Sequence, residues 1–418
     1  MRSSPRRFPR LAVARAVVLA GVLNVSLAGT LAAASPTTTS SIAPATTPGV
    51  SVTTIALPAG ASSGRMYLIA CPKPTDCVAG GLATFAGGKQ RSIISVETGG
   101  VWAAPQVVGA TMVHLACPRT GACVGVGLRL LPGPVANDSL YSSYLIVQHG
   151  STWSTPQTVP ATGLGLNPSY VVTAIACPRV GWCILSGTLI FSPTHTKVFV
   201  VTWHNGQWSA PHFLSSSALG SGAQLTSLNA LSCVGDWCQA VGVFMDAHQR
   251  IQPFTITDSN GRWHMTHELG AFLASTNTNG LESISCSAVE TCVAGGYSAP
   301  TTGIVESPLF VEENHARWSR PYEVPVSISS MVTSLSCTAA TRCAAVIVNA
   351  AGESLVGLTT MRVSHRWSAP LVVNVAKQAT VQGLAVGCVP GQCTIAGATQ
   401  SSAHAPFQPT LFNVKFAR

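Results

Sequence analysis

Fourteen cysteines are the residues of this sequence whose type and spacing could do chemistry, and they fall into seven pairs. Five residues separate the two cysteines in five of the pairs, and four residues separate them in the other two. A pair of this kind could be a redox couple, half of a zinc site or a disulfide that closes a short turn. The pairs are Cys71 and Cys77, Cys117 and Cys123, Cys177 and Cys183, Cys233 and Cys238, Cys286 and Cys292, Cys337 and Cys343, and Cys388 and Cys393.

The number and spacing of the pairs favour disulfides over the other two chemistries. Redox catalysis needs one pair, and here there are seven. Zinc sites use closer cysteine spacings or nearby histidines, and no histidine recurs in register with these pairs. An even count with no cysteine left over is typical of a disulfide framework in an exported chain. We therefore predict seven disulfides, no metal and no cofactor.

The cysteine pairs belong to a repeat of 46 to 60 residues. The segment "IACPRVGWCILSG" at residues 175–187 has six relatives, such as "LSCVGDWCQAVG" from Leu231. A second motif alternates with it, as in "TWSTPQTV" and "QWSAPHFL", and one copy has Thr266 where the others have proline. Turn pairs such as Asn205-Gly206 precede the tryptophan and favour a two-residue hairpin. We interpret the recurring tryptophan as a packing residue between repeats.

Each repeat predicts four short strands, and four-stranded units of this length are typical of β-propeller blades. The seventh repeat has no tryptophan strand, whereas residues 50–58 form a strand-like segment before the first repeat. Pairing that segment with the last repeat would close the ring and remove exposed sheet edges. We therefore predict an all-β, seven-bladed β-propeller over residues 50–418, with four-stranded antiparallel blades and the N-terminal strand completing the last blade.

The alternating "SC-x5-C-AVG" and "NG-x-W-S-A-P" segments resemble those of secreted actinobacterial repeat proteins, most of them uncharacterised. These proteins are described as β-propellers with sialidase-like or WD-type-like repeats. The resemblance covers residues 51–418 and implies the propeller fold and secretion. It implies no particular activity.

The N-terminal residues predict export. Residues 1–34 combine five arginines with an apolar run that ends in small residues, which is the pattern of a cleaved signal peptide, although a retained anchor is the alternative. Residues 35–49 form a spacer rich in proline, threonine and serine. Cleavage would leave 18 basic and 14 acidic residues, a net charge of +4. This mild excess without basic runs argues against nucleic-acid binding, and no other segment is long and apolar enough for a membrane span.

Function is expected in the loops that differ between repeats, on the face opposite the cysteine turns. Asp246, His248 and Arg250 could share one side of a strand because their spacing is two residues. The first hypothesis is a secreted or surface-associated monomeric propeller that binds a protein or a glycan without catalysis. The alternative is a glycan-active hydrolase or lyase whose acid, base and arginine converge at the axis. The candidate residues are Arg129, Asp138, Tyr141, His195, Asp246, His248 and Arg250.

Overall fold

The chain is an all-β β-propeller, seen in a computed structural model. The residues that the structure describes are 50–109, 111–132, 139–159, 169–192, 195–259, 261–266, 269, 277–300, 306–324, 329–349, 357–363, 366–368, 371–372, 380–402 and 404–415. The predicted signal peptide, the predicted spacer and Asp138 lie outside them. Over this part of the chain, regular structure consists of strands and short 3₁₀ segments, among them Ala86–Gly88 and Ser217–Leu219.

The strands form seven antiparallel sheets, numbered here by the cysteine pair that each contains, from sheet 1 with Cys71 to sheet 7 with Cys388. In chain order, β1 (Val50–Thr54) precedes sheet 1, which contains β2 (Ala61–Lys73), β3 (Asp76–Phe85), β4 (Gln90–Thr98), β5 (Val101–Trp102) and β6 (Gln106–Val108). Sheet 2 contains β7 (Thr111–Ala116), β8 (Val124–Pro132), β9 (Ser139–His149), β10 (Thr152–Trp153) and β11 (Gln157–Thr158). Sheet 3 contains β12 (Ser169–Arg179), β13 (Trp182–Ser192), β14 (His195–His204), β15 (Gln207–Trp208) and β16 (His212–Phe213).

The remaining sheets follow the same order. Sheet 4 contains β17 (Gln224–Val234), β18 (Trp237–Met245), β19 (Ile251–Ser259) and β20 (Arg262–Thr266). Sheet 5 contains β21 (Asn277–Ala288), β22 (Thr291–Pro300), β23 (Ser307–Asn314), β24 (Arg317–Trp318) and β25 (Tyr322–Glu323). Sheet 6 contains β26 (Ser330–Ala339), β27 (Arg342–Asn349), β28 (Gly357–Val363), β29 (Arg366–Trp367) and β30 (Leu371–Val372). Sheet 7 contains β31 (Thr380–Val389), β32 (Gln392–Gln400) and β33 (Gln408–Lys415).

The sheets pack in a ring that the N-terminal strand completes. Strand β1 pairs antiparallel with β33, from Val50 opposite Val414 to Thr54 opposite Thr410, and so becomes the outer strand of sheet 7. A buried apolar cluster lies between each pair of consecutive sheets, and another joins sheet 7 to sheet 1 through Leu411 and Met66. Neighbouring first strands contact one another around the ring, so these strands are the inner strands and border the axis.

Proline in the tryptophan motif splits the outer strand of most sheets. In sheets 1, 2, 3 and 5, two short strands flank Pro105, Pro156, Pro211 and Pro321 respectively, and both pair with the same neighbouring strand. Proline has no amide hydrogen to donate to the ladder, so pairing stops there. In sheet 4, Thr266 replaces proline, and β20 pairs continuously from Arg262 to Thr266.

The recurring tryptophans pack between sheets. Trp208 of sheet 3 contacts the cluster shared with sheet 2, and Trp318 of sheet 5 contacts the cluster shared with sheet 4. Trp367 of sheet 6 stacks on Phe310 of sheet 5 with ring centroids 3.9 Å apart. The repeated indole is therefore part of the interface between successive sheets, as its recurrence in six of the seven repeats predicts.

All seven predicted cysteine pairs are disulfides, and no cysteine is free. Each joins the end of an inner strand to the start of the next strand across a tight turn. Serine residues that precede some of these cysteines link neighbouring sheets, because the Cys337 amide donates to Ser285 Oγ at 2.9 Å and the Cys388 amide donates to Ser336 Oγ at 2.9 Å. The disulfide turns therefore form one end of the ring around the axis.

Each inner strand contains a β-bulge four residues before its first cysteine. The residue that precedes the bulge pairs with a glycine in six sheets, and with Ile347 in sheet 6. Glycine is needed because the bulge brings a carbonyl close: a Cβ on Gly242 would lie 2.2 Å from Ser227 O, and one on Gly397 would lie 1.7 Å from Gln382 O. The repeated Gly in "QAVG" and "TIAG" therefore accommodates the bulge.

Candidate functional site

The structure places three of the predicted site residues in one turn of sheet 4. Asp246, His248 and Arg250 lie between β18 and β19, in a turn rather than on one side of a strand as their spacing suggested. Asp246 Oδ1 accepts from the amides of His248 at 2.8 Å and Arg250 at 2.9 Å, and Arg250 Nε donates to Oδ2 at 2.8 Å. Partial desolvation raises the pKa of Asp246, but these hydrogen bonds outweigh it and the net pKa is lowered.

The other candidates lie in sheets 2 and 3 on the same face. Arg129 is exposed near the end of β8, and Tyr141 lies near the start of β9, where its amide donates to Ser169 Oγ at 3.1 Å. His195 begins β14. Among the candidates that the structure describes, hydrogen bonds and ion pairs join only the three residues of the sheet 4 turn.

A groove between sheets 2 and 3 lies at the opposite end of the ring, beside the disulfide turns. Its volume is about 570 Å³. One wall is the turn after β7 together with the β9–β10 turn, and the other wall is the turn after β12 together with the β14–β15 turn. Backbone hydrogen bonds hold each wall: Gly150 N donates to Gly121 O at 3.0 Å, and Asn205 N donates to Gly181 O at 2.7 Å. Each wall is thus formed by two turns whose backbones are hydrogen-bonded to each other.

This groove, called the 2/3 groove below, combines apolar surface with polar side chains. Trp203 forms part of its lining and is 6% exposed, and Val180 on the rim is 47% exposed. Arg119 and His149 are exposed on the sheet 2 wall, and Asn205 is exposed on the sheet 3 wall. The residues that line the groove include a guanidinium, an imidazole, amides and a hydroxyl, but no carboxylate.

A second groove between sheets 1 and 2 offers a direct comparison. It has a similar volume of about 540 Å³ and shares Gly121, Gln148 and Gly150 with the 2/3 groove. Its other walls carry Ile94, Val96 and small residues, with no arginine, histidine or aromatic side chain. The two grooves have the same architecture, and they differ in the polar and aromatic groups that they present.

Burial shifts the pKa values of Glu97, Asp258 and His114. Burial raises the pKa of Glu97, which is 3% exposed, and of Asp258 at the corresponding position of sheet 4. Burial lowers the pKa of His114 to about 4, although a hydrogen bond with the Val172 backbone opposes the shift.

No set of three histidine, cysteine, aspartate or glutamate side chains in the described part of the chain is arranged to hold a metal ion. Within the same residues, no helix has the length and hydropathy of a membrane span.

Sequence reasoning missed the 2/3 groove because its residues come from separate strands and turns of two sheets. Arg119, His149 and Trp203 are 30 to 84 positions apart and approach one another only when sheets 2 and 3 pack. One residue type in the sequence could have indicated the groove. In each sheet that contains the repeat tryptophan, one residue pairs with it, and in sheet 3 this residue is Trp203. In other sheets it is a polar residue: Glu97, Gln148, Asp258 or Glu313. An aromatic residue at that single position marks one sheet interface as different.

Comparisons with known proteins identify the fold. No protein-family model matches the chain, and no curated protein does either. Similar solved structures include the Hadza microbial sialidase Hz136, at 12% identity and a TM-score of 0.47, over 79% of this chain and 73% of that one. They also include a six-bladed lectin from Aleuria aurantia, at 11% identity and a TM-score of 0.42, over 75% and 98%.

A third similar structure is an acylaminoacyl peptidase in complex with a chloromethyl ketone. It is 8% identical to this chain with a TM-score of 0.51, and the match covers 85% of this chain and 52% of the peptidase. This chain therefore spans about half the length of that enzyme. At this low identity, the structural similarity to the peptidase shows a common fold and nothing about a shared activity.

Proposed function

We propose that this chain is an extracellular, glycan-binding β-propeller that performs no catalysis, and that the 2/3 groove is its binding site. The observation that carries the proposal is the lining of this groove: an indole and an exposed valine beside a guanidinium, an imidazole and an amide. A saccharide presents apolar C–H faces and hydroxyl groups on the same ring, so it needs a site of this mixed kind. Sites for small ligands usually combine apolar walls with a few polar groups that fix orientation.

The charge of the groove favours an acidic saccharide. Arg119 and His149 are its ionisable side chains, and both are basic types. A guanidinium can bind a carboxylate through two parallel hydrogen bonds. Glycoside hydrolysis ordinarily requires a pair of carboxylates beside the scissile bond, and none lines this groove. The groove is therefore suited to binding a glycan rather than cleaving it.

The architecture and location form part of the same proposal. We infer that each of the seven sheets is one blade of a seven-bladed monomer, because each sheet contains one repeat and each neighbouring pair shares one core cluster. Seven disulfides suit an oxidising compartment, which supports residues 1–34 as a signal peptide and an extracellular location. N-terminal sequencing of the exported chain and images viewed along the ring axis test the cleavage and the blade number.

The binding experiment uses the mature chain on an array of acidic and neutral glycans, followed by calorimetric titration of the best ligand. We expect an acidic glycan to bind, and Arg119→Ala and His149→Ala each to weaken binding by about tenfold, since hydrogen bonds to charged groups contribute roughly 1.5–3 kcal/mol. Both side chains are exposed, so neither change should affect folding. Lys89→Ala is the matched control, because Lys89 is an exposed basic residue in the β3–β4 connection, outside the groove.

Three results would overturn the proposal: no glycan bound by the mature chain, binding that survives both groove substitutions, or equal loss of binding in Lys89→Ala. Turnover of the bound glycan, followed by release of reducing ends, would contradict the absence of catalysis. Ligand binding that disappears in Arg129→Ala instead would move the site to the opposite face.

A further inference from the structure

The groove between sheets 1 and 2, called the 1/2 groove below, is apolar because its tryptophan motif departs from the others. Four of the five copies with proline have serine after the tryptophan, whereas sheet 1 has Ala103 followed by Ala104. In sheets 2, 3 and 5 this serine accepts a hydrogen bond from the neighbouring strand, as Ser154 Oγ does from the Val147 amide at 3.0 Å. Ala103 and Ala104 instead contribute methyl groups to the lining of the groove, together with Val96.

Two hydrogen bonds from sheet to sheet mark the extent of the 1/2 groove. Thr120 Oγ1 donates to Asp76 Oδ2 at 3.2 Å, which joins the disulfide turns of sheets 1 and 2. Gln106 Nε2 donates to the Ser151 carbonyl at 3.2 Å, which joins β6 to the β9–β10 turn. The groove is therefore short, and its volume of about 540 Å³ suits a small apolar group rather than a helix or a strand of a partner protein.

Two glycines form the ridge between the 1/2 groove and the 2/3 groove. Gly121 and Gly150 line both grooves, and a Cβ on Gly150 would meet nothing within 4 Å. In sheet 3, Asn205 takes the position of Gly150, and its side chain covers the partner turn: a Cβ on Gly181 would lie 2.1 Å from Asn205 Oδ1. The ridge of sheet 2, called the glycine ridge below, has no side chain of this kind. A ligand can therefore lie across it.

The two flanks of the glycine ridge carry different chemistry. Arg119 and His149 line the 2/3 groove, whereas Thr120 and Ser151 line the 1/2 groove. A basic flank and an apolar groove thus meet within one turn, since Thr120 directly follows Arg119. On the opposite wall of the 1/2 groove, Val101 is 73% exposed, so an apolar group bound there would remove a large apolar side chain from water.

We propose that the two grooves together bind one molecule, an acidic saccharide that carries an apolar aglycone. This inference rests on the proposed function of the 2/3 groove and names the class of its ligand. The acidic sugar would lie against Arg119 and Trp203, the glycosidic link would cross the glycine ridge, and the aglycone would lie against Val101 and Ala104. A saccharide without an aglycone would leave the 1/2 groove unfilled, and an alkyl chain without the acid would leave Arg119 without a counter-charge.

The test is a calorimetric titration of the mature chain with methyl β-glucuronide, hexyl β-glucuronide and hexyl β-glucoside, each kept below the concentration at which it forms micelles. Hexyl glucuronide should bind at least about tenfold more tightly than methyl glucuronide, because burial of each added methylene group is favourable. It should also bind at least about tenfold more tightly than hexyl glucoside, which has no carboxylate for the guanidinium.

Ala104→Gln should remove the gain from the hexyl group and leave methyl glucuronide binding unchanged, because it places a polar side chain in the 1/2 groove alone. The fold should accept it, since sheet 5 has the longer Arg320 at the same motif position. Ala210→Gln is the matched control, at the same exposed position of sheet 3 and outside both grooves.

Gly150→Asn tests the crossing itself. It copies Asn205 of sheet 3, which has a φ of 47°, and asparagine tolerates this left-handed conformation. Its side chain would cover the glycine ridge and should remove most of the hexyl gain. Near-ultraviolet circular dichroism checks that each variant folds.

The outcomes separate this inference from the proposed function. If methyl glucuronide binds and Arg119→Ala weakens it, but the hexyl group adds no affinity, the 2/3 groove remains a glycan site and its extension into the 1/2 groove is wrong. Equal binding of hexyl glucoside and hexyl glucuronide, or a hexyl gain that persists in Ala104→Gln, would also overturn the inference. Failure of both glucuronides to bind overturns it as well, and the glycan array then decides whether the proposed function fails with it.

Discussion

The phenol of Tyr67 donates a hydrogen bond to the carbonyl oxygen of Met112, 45 residues away on the neighbouring inner strand, at 2.8 Å. The Met112 carbonyl is the last backbone group before the bulge of its strand, where regular pairing with β8 is interrupted. Met112 is itself fully buried. The contact therefore joins sheets 1 and 2 close to the axis, through a backbone group at the point where the ladder shifts.

Tyr67→Phe should destabilise the protein by roughly 1–3 kcal/mol, because it removes the hydrogen bond and leaves a shielded carbonyl without its donor. Urea unfolding followed by tryptophan fluorescence measures the change. Tyr322→Phe is the control, since Tyr322 is 47% exposed in a short outer strand and should alter the midpoint very little. An equal midpoint for Tyr67→Phe and the parent would show that the contact between sheets contributes no stability.

Gly242→Ala should destabilise the protein by roughly 1–3 kcal/mol through overpacking at the bulge. The added methyl group would lie 2.2 Å from Ser227 O and 3.0 Å from Leu228 Cα, and both are backbone atoms. Thermal unfolding measures the loss. Gly109→Ala is the matched control, because a Cβ at Gly109 meets nothing within 4 Å. Equal midpoints for the two variants would contradict the role assigned to the repeated glycine.

Glu97→Gln should stabilise the protein at pH 8 and change it little at pH 4. Burial raises the pKa of Glu97 in the folded state, so its contribution to stability is complete below the unfolded pKa of about 4.3 and is lost as pH rises through the folded pKa. A glutamine side chain does not titrate, so its contribution to stability does not change with pH. Gln148 already occupies the corresponding position in sheet 2. We expect the midpoint to rise by roughly 1–3 °C at pH 8.

Thermal unfolding of parent and Glu97→Gln at pH 4, 6 and 8 tests this pH dependence. Glu323→Gln, at an exposed carboxylate of a short outer strand, is the control and should have parallel curves with the parent. A stabilisation of Glu97→Gln that is larger at pH 4 than at pH 8 would reverse the predicted sign.

The disulfides should be complete in the folded protein, with each contributing roughly 2 kcal/mol because each closes a short loop. Alkylation of the denatured, unreduced chain should add no label, and alkylation after reduction should label 14 cysteines. Replacing Cys71 and Cys77 together by alanine should lower the unfolding free energy by that amount. Any labelling before reduction would mean that one or more pairs are open.

The repeat made most of the architecture predictable, since a cysteine pair and a tryptophan motif at regular intervals define a unit of strands without any knowledge of contacts. The role of residues 50–58 followed from the same count, because the seventh repeat lacked an outer strand. Local details were less visible. Splitting of the outer strands at proline depends on a missing amide hydrogen, and the bulges depend on backbone geometry that a pattern of alternating residues does not reveal.

The functional site was harder to predict than the fold because sheet packing creates it. The spacing of Asp246, His248 and Arg250 predicts one side of a strand, but the turn that they form uses both oxygens of Asp246 internally. Arg119 and Trp203 come from different repeats, and no local pattern joins them.

Pairing of β1 with β33 has a consequence for the order of events during biosynthesis. Val50 leaves the ribosome more than 350 residues before its partner Val414, so β1 has no partner strand until β33 has been made. Sheets 1 to 6 can form their own hairpins as they emerge, but sheet 7 is incomplete until β1 meets β33. Closure of the ring is therefore a non-local step that must follow the synthesis of β33, and in an exported chain it would take place on the far side of the membrane.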